Sequence, residues 1–386
     1  MTSRRPALAL LTLALIPGLA ACGSSGDKKA SSSGDSAHKA AITITADKGC
    51  SIDNPTLAAG GIDFTVKNVD ATAVSEVEVL SGDRIVGEKE NLPPGFNGTF
   101  SITASAGDYT LYCPGASTEK SPLKVTGKSA AADDSAAALA TQASKGYANY
   151  VNTQVGYLVT AAKELNTALQ GTDLAAAQAA YAKARPFYEK IEPVAESFPA
   201  LDPAIDARAD GVPATSLTGF HRIEYGLFKV KSLKGLAPYG AGLVKNVQKL
   251  QSRTNALAQQ DLPYQLTELA NGAQGLLDEV ASSKITGEEE RYSHIDMLDF
   301  ANNDEGAEQA FAQLTPILEK SDPALTKQIQ DQFDALNTLV DHYRDASQPS
   351  GYVLYTSLTK ADKRKLAAAV KAVQEPLSKV ASKVAG

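Results

Sequence analysis

The spacing of apolar residues changes once along this chain of 386 residues, and that change commits it to two unlike folds. Between residues 41 and 127, "AITITA", "GIDFTVKNV", "VSEVEVL", "DRIVGEK", "GTFSITAS", "GDYTLYC" and "SPLKVTG" alternate apolar with polar residues. Successive side chains of a strand leave by opposite faces, so alternation builds strands with one buried face. Gly, Pro, Asn and Asp separate them as turns, and the expected product is a small all-β sandwich. From residue 141 to 386 the apolar residues recur at about 3.6-residue spacing, as in "YVNTQVGYLVTAAKELNTALQ" and "LTKQIQDQFDALNTLVDHYRD". These segments and their polar connections fit an all-α helical bundle. Residues 128–140, "KSAAADDSAAALA", read as a linker or a frayed helix start.

The N-terminus bears on location. Residues 1–21 combine Arg4 and Arg5 with an apolar run from Ala7 to Ile16 and small residues before Cys22, the pattern of a secretory signal. The run is too short to span a bilayer comfortably. "LAAC" resembles a bacterial lipobox, so Cys22 is expected to carry lipid and anchor the protein to the extracytoplasmic face of the cell membrane. Residues 22–40, rich in Gly and Ser, read as a flexible tether. A formal net charge of -7 argues against nucleic acid as a partner and favours cations.

In the sandwich, Cys50 and Cys113 lie at strand ends. Outside the cell such a pair usually forms a disulfide. The other reading is a metal or redox site in which both sulfurs act with Glu76 or Glu78, which share a strand face, or with Asp108 or Glu90. A type 1 copper centre is excluded, because "PGASTEKSP" after Cys113 holds no His or Met.

In the bundle, "GFHRIEYGLF" puts one of four histidines, His221, three residues before Glu224 on a helix face otherwise marked as core by Phe220, Ile223, Leu227 and Phe228. "RPFYEKIEP" sets Glu189 and Glu192 three apart on one expected helix, with Arg185 a turn earlier. "AIDARADG" carries Asp206 and Asp210 in a connection, and "RYSHIDMLDF" gathers Tyr292, His294, Asp296 and Asp299. Glu288, Glu289 and Glu290 precede that last stretch as an expected helix N-terminal turn. A lone histidine beside Phe and Ile is commonly a packed core residue, with Arg185 neutralising its acidic neighbours. With carboxylates from several segments it makes instead a mixed N/O site suited to Fe, Mn or Zn. A zincin needs H-E-x-x-H and an inverzincin H-x-x-E-H. Tyr225 follows Glu224, so neither hydrolase motif is present.

These stretches, with "ENLPPGF", "YEKIEPVAESF" and "EVASSKITGEEERYSHIDMLDF", resemble the EfeO family of bacterial iron-uptake components from about residue 41 to the C-terminus. The resemblance implies a cupredoxin-like domain over 41–127 and an imelysin-like (M75) metal-binding domain over 141–386. It implies metal ligands at His221, Glu224, Asp206 and one of Glu192 or Glu189, and a second metal or redox site at Cys50, Cys113, Glu76 and Glu78. The cargo would be iron as Fe2+ or Fe3+, with Zn or Mn as alternatives. Copper or iron in the first domain would allow copper-assisted iron oxidation, otherwise no enzyme activity is expected. The implied partners are a ferrous-iron permease and a dye-decolorising-type haem peroxidase. Two other readings stay open at this point: a surface-anchored protein that binds polyanionic polysaccharide through bridging cations, and a metallopeptidase.

Overall fold

The computed structural model describes residues 36–385, apart from residues 75, 83, 90, 91, 129–133 and 210. The signal segment, Cys22, Glu90 and Asp210 lie outside the described residues. Among the described residues, nine strands form the N-terminal region. Lys39–Thr45 (β1), Gly49–Ile52 (β2), Thr56–Ala58 (β3) and Gly60–Asn68 (β4) come first. Val77–Ser81 (β5), Arg84–Lys89 (β6), Asn97–Ala104 (β7), Gly107–Tyr112 (β8) and Lys120–Thr126 (β9) follow. They pair as two sheets, β2-β1-β4-β7 and β3-β9-β8-β5-β6. β1 pairs parallel to β4, and β3 parallel to β9. β2 and β3 were not legible in the alternation, since strands of four and three residues hold too few positions to show a period. β1 also takes in residues 39 and 40 of the expected tether.

Inward-facing residues of both sheets make one core, with Ile42, Ile44, Phe64, Val79, Leu111 and Val125 almost fully buried. Phe64 and Phe100, opposite each other on the neighbouring strands β4 and β7, stack with ring centroids 4.8 Å apart. Cys50, on β2, is joined to Cys113, just past β8, by a disulfide with Cα atoms 6.1 Å apart.

The remainder is helical. The long elements are Asp134–Leu169 (α1), which starts inside the expected linker, then Leu174–Ala184 (α2) and, after three short helices, Ala237–Ala258 (α6). Leu266–Ser282 (α7), Asp296–Ser321 (α8), Pro323–Asp341 (α9) and Lys360–Leu377 (α10) follow, and Val380–Val384 (α11) closes the chain. The short helices are Pro186–Glu189 (α3), Asp202–Asp206 (α4) and Gly219–Glu224 (α5). The one helix expected to carry Glu189 and Glu192 is broken at prolines. Pro186 and Pro193 lack the N–H that a helix interior needs, so α3 and a 3-10 turn at Glu192–Val194 replace it. α5 continues into a π-helical turn, Tyr225–Val230.

The sandwich lies on α7. Thr103 N donates to Thr267 Oγ1 at 2.9 Å, Asn271 Nδ2 donates to Ser101 O at 2.5 Å, and Lys89 Nζ pairs with Asp278 at 2.7 Å. This seating brings β6, and with it Glu88, to the wall of a cavity of about 270 Å³ in the helical region.

Candidate metal centre

Local sequence explains how α5 delivers His221. Gly219 opens α5 at φ +66°, and a Cβ there would stand 1.9 Å from the Ile205 carbonyl oxygen. Only glycine permits that approach, which sets the start of α5 against the end of α4 and brings His221 beside Asp206. Phe220, Ile223 and Leu227 are fully buried, and each is worth about 1.5–3 kcal/mol of apolar transfer. The packed face therefore fixes the helix that carries the imidazole.

His221 is 3% exposed. Its Nδ1 lies 3.3 Å from Glu224 Oε2. Its Nε2 has no hydrogen-bond partner and faces Asp206 Oδ1 and Glu289 Oε1, each at 3.5 Å. Asp206, His221 and Glu289 thus converge with geometry able to hold a metal ion, as do Glu189, Glu192, Asp206 and Glu289. The two groups share Asp206 and Glu289, and Glu192, Asp206 and Glu289 also line the cavity.

Glu224 stands outside both groups. Its Oε1 accepts from the backbone amides of Tyr292 at 2.6 Å and Ser293 at 2.9 Å. Glu224 therefore lies on the Nδ1 side of the ring, away from the face that Nε2 presents to Asp206 and Glu289. The turn supplying those amides precedes His294, a non-glycine residue at φ +61° whose carbonyl accepts from Tyr355 N. Glu289 and Glu290 belong to this turn, and α8 begins only at Asp296, so they are not the helix N-terminus expected of them. Glu189 and Glu192 sit in different elements, yet Asn303 Nδ2 donates to both, at 2.9 and 2.5 Å.

Two buried cations stand among the acids. Arg185 is fully buried, bonded to Glu189 and Asp206 and within 3.2 Å of Glu290 and Asp299. Lys284 Nζ lies 2.6 Å from Glu192, 3.4 Å from Glu189 and 3.8 Å from Glu289. Carboxylates still outnumber cations, and burial makes their charge costly. Burial pushes Asp206 up to about 6 and Glu290 to about 8. It also raises Glu192 and Asp299 well above the carboxylate range. For Glu289 burial is outweighed by Lys284, His221 and Arg208, which hold it well below that range. For His221 burial is outweighed by Asp206 and Glu224, and the ring keeps its proton to higher pH. A divalent ion entering here would relieve carboxylate repulsion and displace protons.

The family model for imelysin (peptidase M75) matches residues 143–380. The iron uptake system component EfeO of Escherichia coli K12 is 36% identical over 345 residues, covering 88% of this chain and 89% of that protein. The chain belongs to the EfeO group of the imelysin family. EfeO of Shigella flexneri matches with the same identity and coverage. A solved protein of Parabacteroides distasonis aligns at 18% identity with a TM-score of 0.49, over 67% of this chain and 97% of that one. The imelysin model carries a peptidase label, yet among the described residues each candidate metal group of this EfeO-type chain contains one histidine at most.

Sequence reasoning missed Glu289 as a member of the group. It also passed over Lys284, in the quoted run "SSKITGEEE", because neither residue shares an element with His221. Tyr292 enters through its backbone amide, Asp296 accepts from Glu290 N at 3.1 Å, and Asp299 serves Arg185. In the sandwich, the disulfide removes the thiolates that a Cys50–Cys113 metal site would need. Burial raises both Glu76 and Glu78, the latter to about 7 with Glu76 adding to the shift. Glu78 lines a separate cleft of about 760 Å³ with Tyr112 and Lys120.

Proposed function

We propose that this chain captures iron outside the cytoplasm and passes it on within an uptake system. The observation that carries the reading is His221 Nε2, which makes no hydrogen bond and is aimed between Asp206 and Glu289, 3.5 Å from an oxygen of each, beside an acidic cavity. A packed structural histidine would spend that nitrogen on a hydrogen bond. One imidazole among carboxylates suits Fe, Mn or Zn better than Cu(I). Asp206, His221 and Glu289 would be the ligands, completed by Glu189 or Glu192, with Glu224 steadying the ring. The name of the relatives, an iron uptake system component, selects iron among those ions.

The finer reading is a two-domain protein, a cupredoxin-like domain over 41–127 and an imelysin-like domain over 141–386. It is tethered to the membrane by lipid on Cys22 and delivers iron to a ferrous-iron permease, with a haem peroxidase as further partner. Anaerobic isothermal titration of Fe(II), with Mn(II) and Zn(II) as comparators, tests the capture step. Wild type should show a saturable site that His221→Ala and Asp206→Asn lose while the helical circular dichroism stays unchanged. Equal binding by all three proteins would refute it.

A further inference from the structure

Lys284 occupies the place of a cation. Its side chain is 3% exposed, and the three carboxylates nearest its ammonium, Glu192, Glu189 and Glu289, are three of the four in the acidic group that can hold a metal ion. A metal ion and an ammonium at the centre of the same carboxylates exclude one another, since two cations would compete for one small pocket of negative charge. The site therefore faces an internal competitor whose concentration never changes, because it is part of the chain.

Arg185 is differently held. Its planar guanidinium is pinned between carboxylates from several elements and lies 5.1 Å from the Phe220 ring centroid. Lys284 is a point charge on a flexible four-carbon stem, and it projects from a 3-10 turn, Lys284–Thr286, between α7 and the Glu289 turn. Glu192 and Glu289 both border the cavity, whose wall also carries Asp202 and Glu279. The ammonium thus has acidic ground to move onto without becoming unpaired.

Resting on the metal-capture reading, we propose that Lys284 is a tethered counter-cation, displaced from Glu192, Glu189 and Glu289 when a divalent ion binds and returning to them when the ion leaves. Protons held on the binding groups leave to solvent as the divalent ion enters. The divalent ion takes the carboxylate oxygens, the ammonium keeps its proton, and its hydrogen bonds pass to Asp202 and Glu279. Occupied or not, the carboxylates are never left bare, which lowers affinity to a level compatible with handing the ion on.

Lysine 284 can be examined in two ways. Titration of Mn(II) into Lys284→Gln should give a dissociation constant at least about tenfold lower than wild type, since a nearby buried positive charge is removed. Damage to the site would move affinity the other way, so an unchanged or weaker constant overturns the proposal. In unaltered protein, amine acetylation read by peptide mass spectrometry should show Lys284 poorly labelled without metal and labelled several-fold more at saturating Mn(II), with exposed Lys327 as internal standard. Labelling that stays flat or falls overturns the displacement. If wild type binds Mn(II) and His221→Ala does not, failure of either result sinks the Lys284 exchange alone. If neither wild type nor Lys284→Gln binds, the capture reading falls with it.

Discussion

Glu224 Oε2 lies 3.3 Å from His221 Nδ1 while Glu224 Oε1 is clamped by the amides of Tyr292 and Ser293, so the ring is held from behind and its Nε2 is turned to Asp206 and Glu289. The pair separates two roles that one sequence motif runs together. Glu224→Gln should weaken metal binding by roughly 10–100-fold, the usual loss when a partner behind a ligand is altered. His221→Ala should cost more than that. Isothermal titration of both variants measures the difference, and equal losses would return Glu224 to the ligand shell.

Neighbouring glutamates give a sharper contrast. Glu289 is buried and faces His221, whereas Glu288 is exposed. Glu289→Gln should abolish the saturable site, and Glu288→Gln should leave its affinity within about twofold, as befits a solvated charge. A site that survives Glu289→Gln would remove that residue from the ligand group.

Stability of the metal-free protein should fall as pH rises from 6 to 8. In the folded state burial raises Glu290 to about 8, so it binds its proton more tightly folded than unfolded across this interval, while Asp206 and Asp296, raised to about 6, act in the same sense mainly below pH 6. Such carboxyls lose stability as pH climbs from their ordinary values through the raised ones. His221, also raised, contributes stability below the ordinary imidazole value that is lost as pH passes its folded one. Glu289, held low, acts in the opposite sense only below the carboxylate range. Thermal melts should therefore drop by several degrees between pH 6 and pH 8, and saturating Mn(II) should narrow the gap. A melting point that rises over this interval without metal contradicts the assignment.

Gly219→Ala should strike fold and site together. The new Cβ meets the Ile205 carbonyl in a left-handed backbone conformation, and the combined strain and displacement should cost on the order of 2–4 kcal/mol. Urea denaturation reads the loss. Any folded fraction should bind metal more weakly, because the contact that seats His221 beside Asp206 has opened.

Reduction of Cys50–Cys113 should destabilise the sandwich by about 2–4 kcal/mol, given a sequence separation of 63. Denaturation with and without reductant checks the size of the effect. Cys50→Ala should leave the stoichiometry of metal binding in the helical region unchanged, since no cysteine lies in either metal group.

Periodicity alone determined that strands precede helices, because one buried face imposes its period on every residue of an element, as in β4 and α7. The same local rule made His221 and Glu224 neighbours, three residues apart on one turn. It could not say which way the imidazole would point. That was decided by amides at 292 and 293, a glycine at 219 backed onto Ile205, and prolines that broke the helix carrying Glu189 and Glu192. Glu289 and Lys284 reached the site from two successive turns far along the chain, and no spacing rule reports such a meeting. Local pattern is written in short-range backbone geometry, whereas the meeting of His221, Asp206, Glu289 and Lys284 is a product of how α4, α5, α7 and α8 pack. Only the packed chain brings those charges close enough, and dry enough, to act on one another.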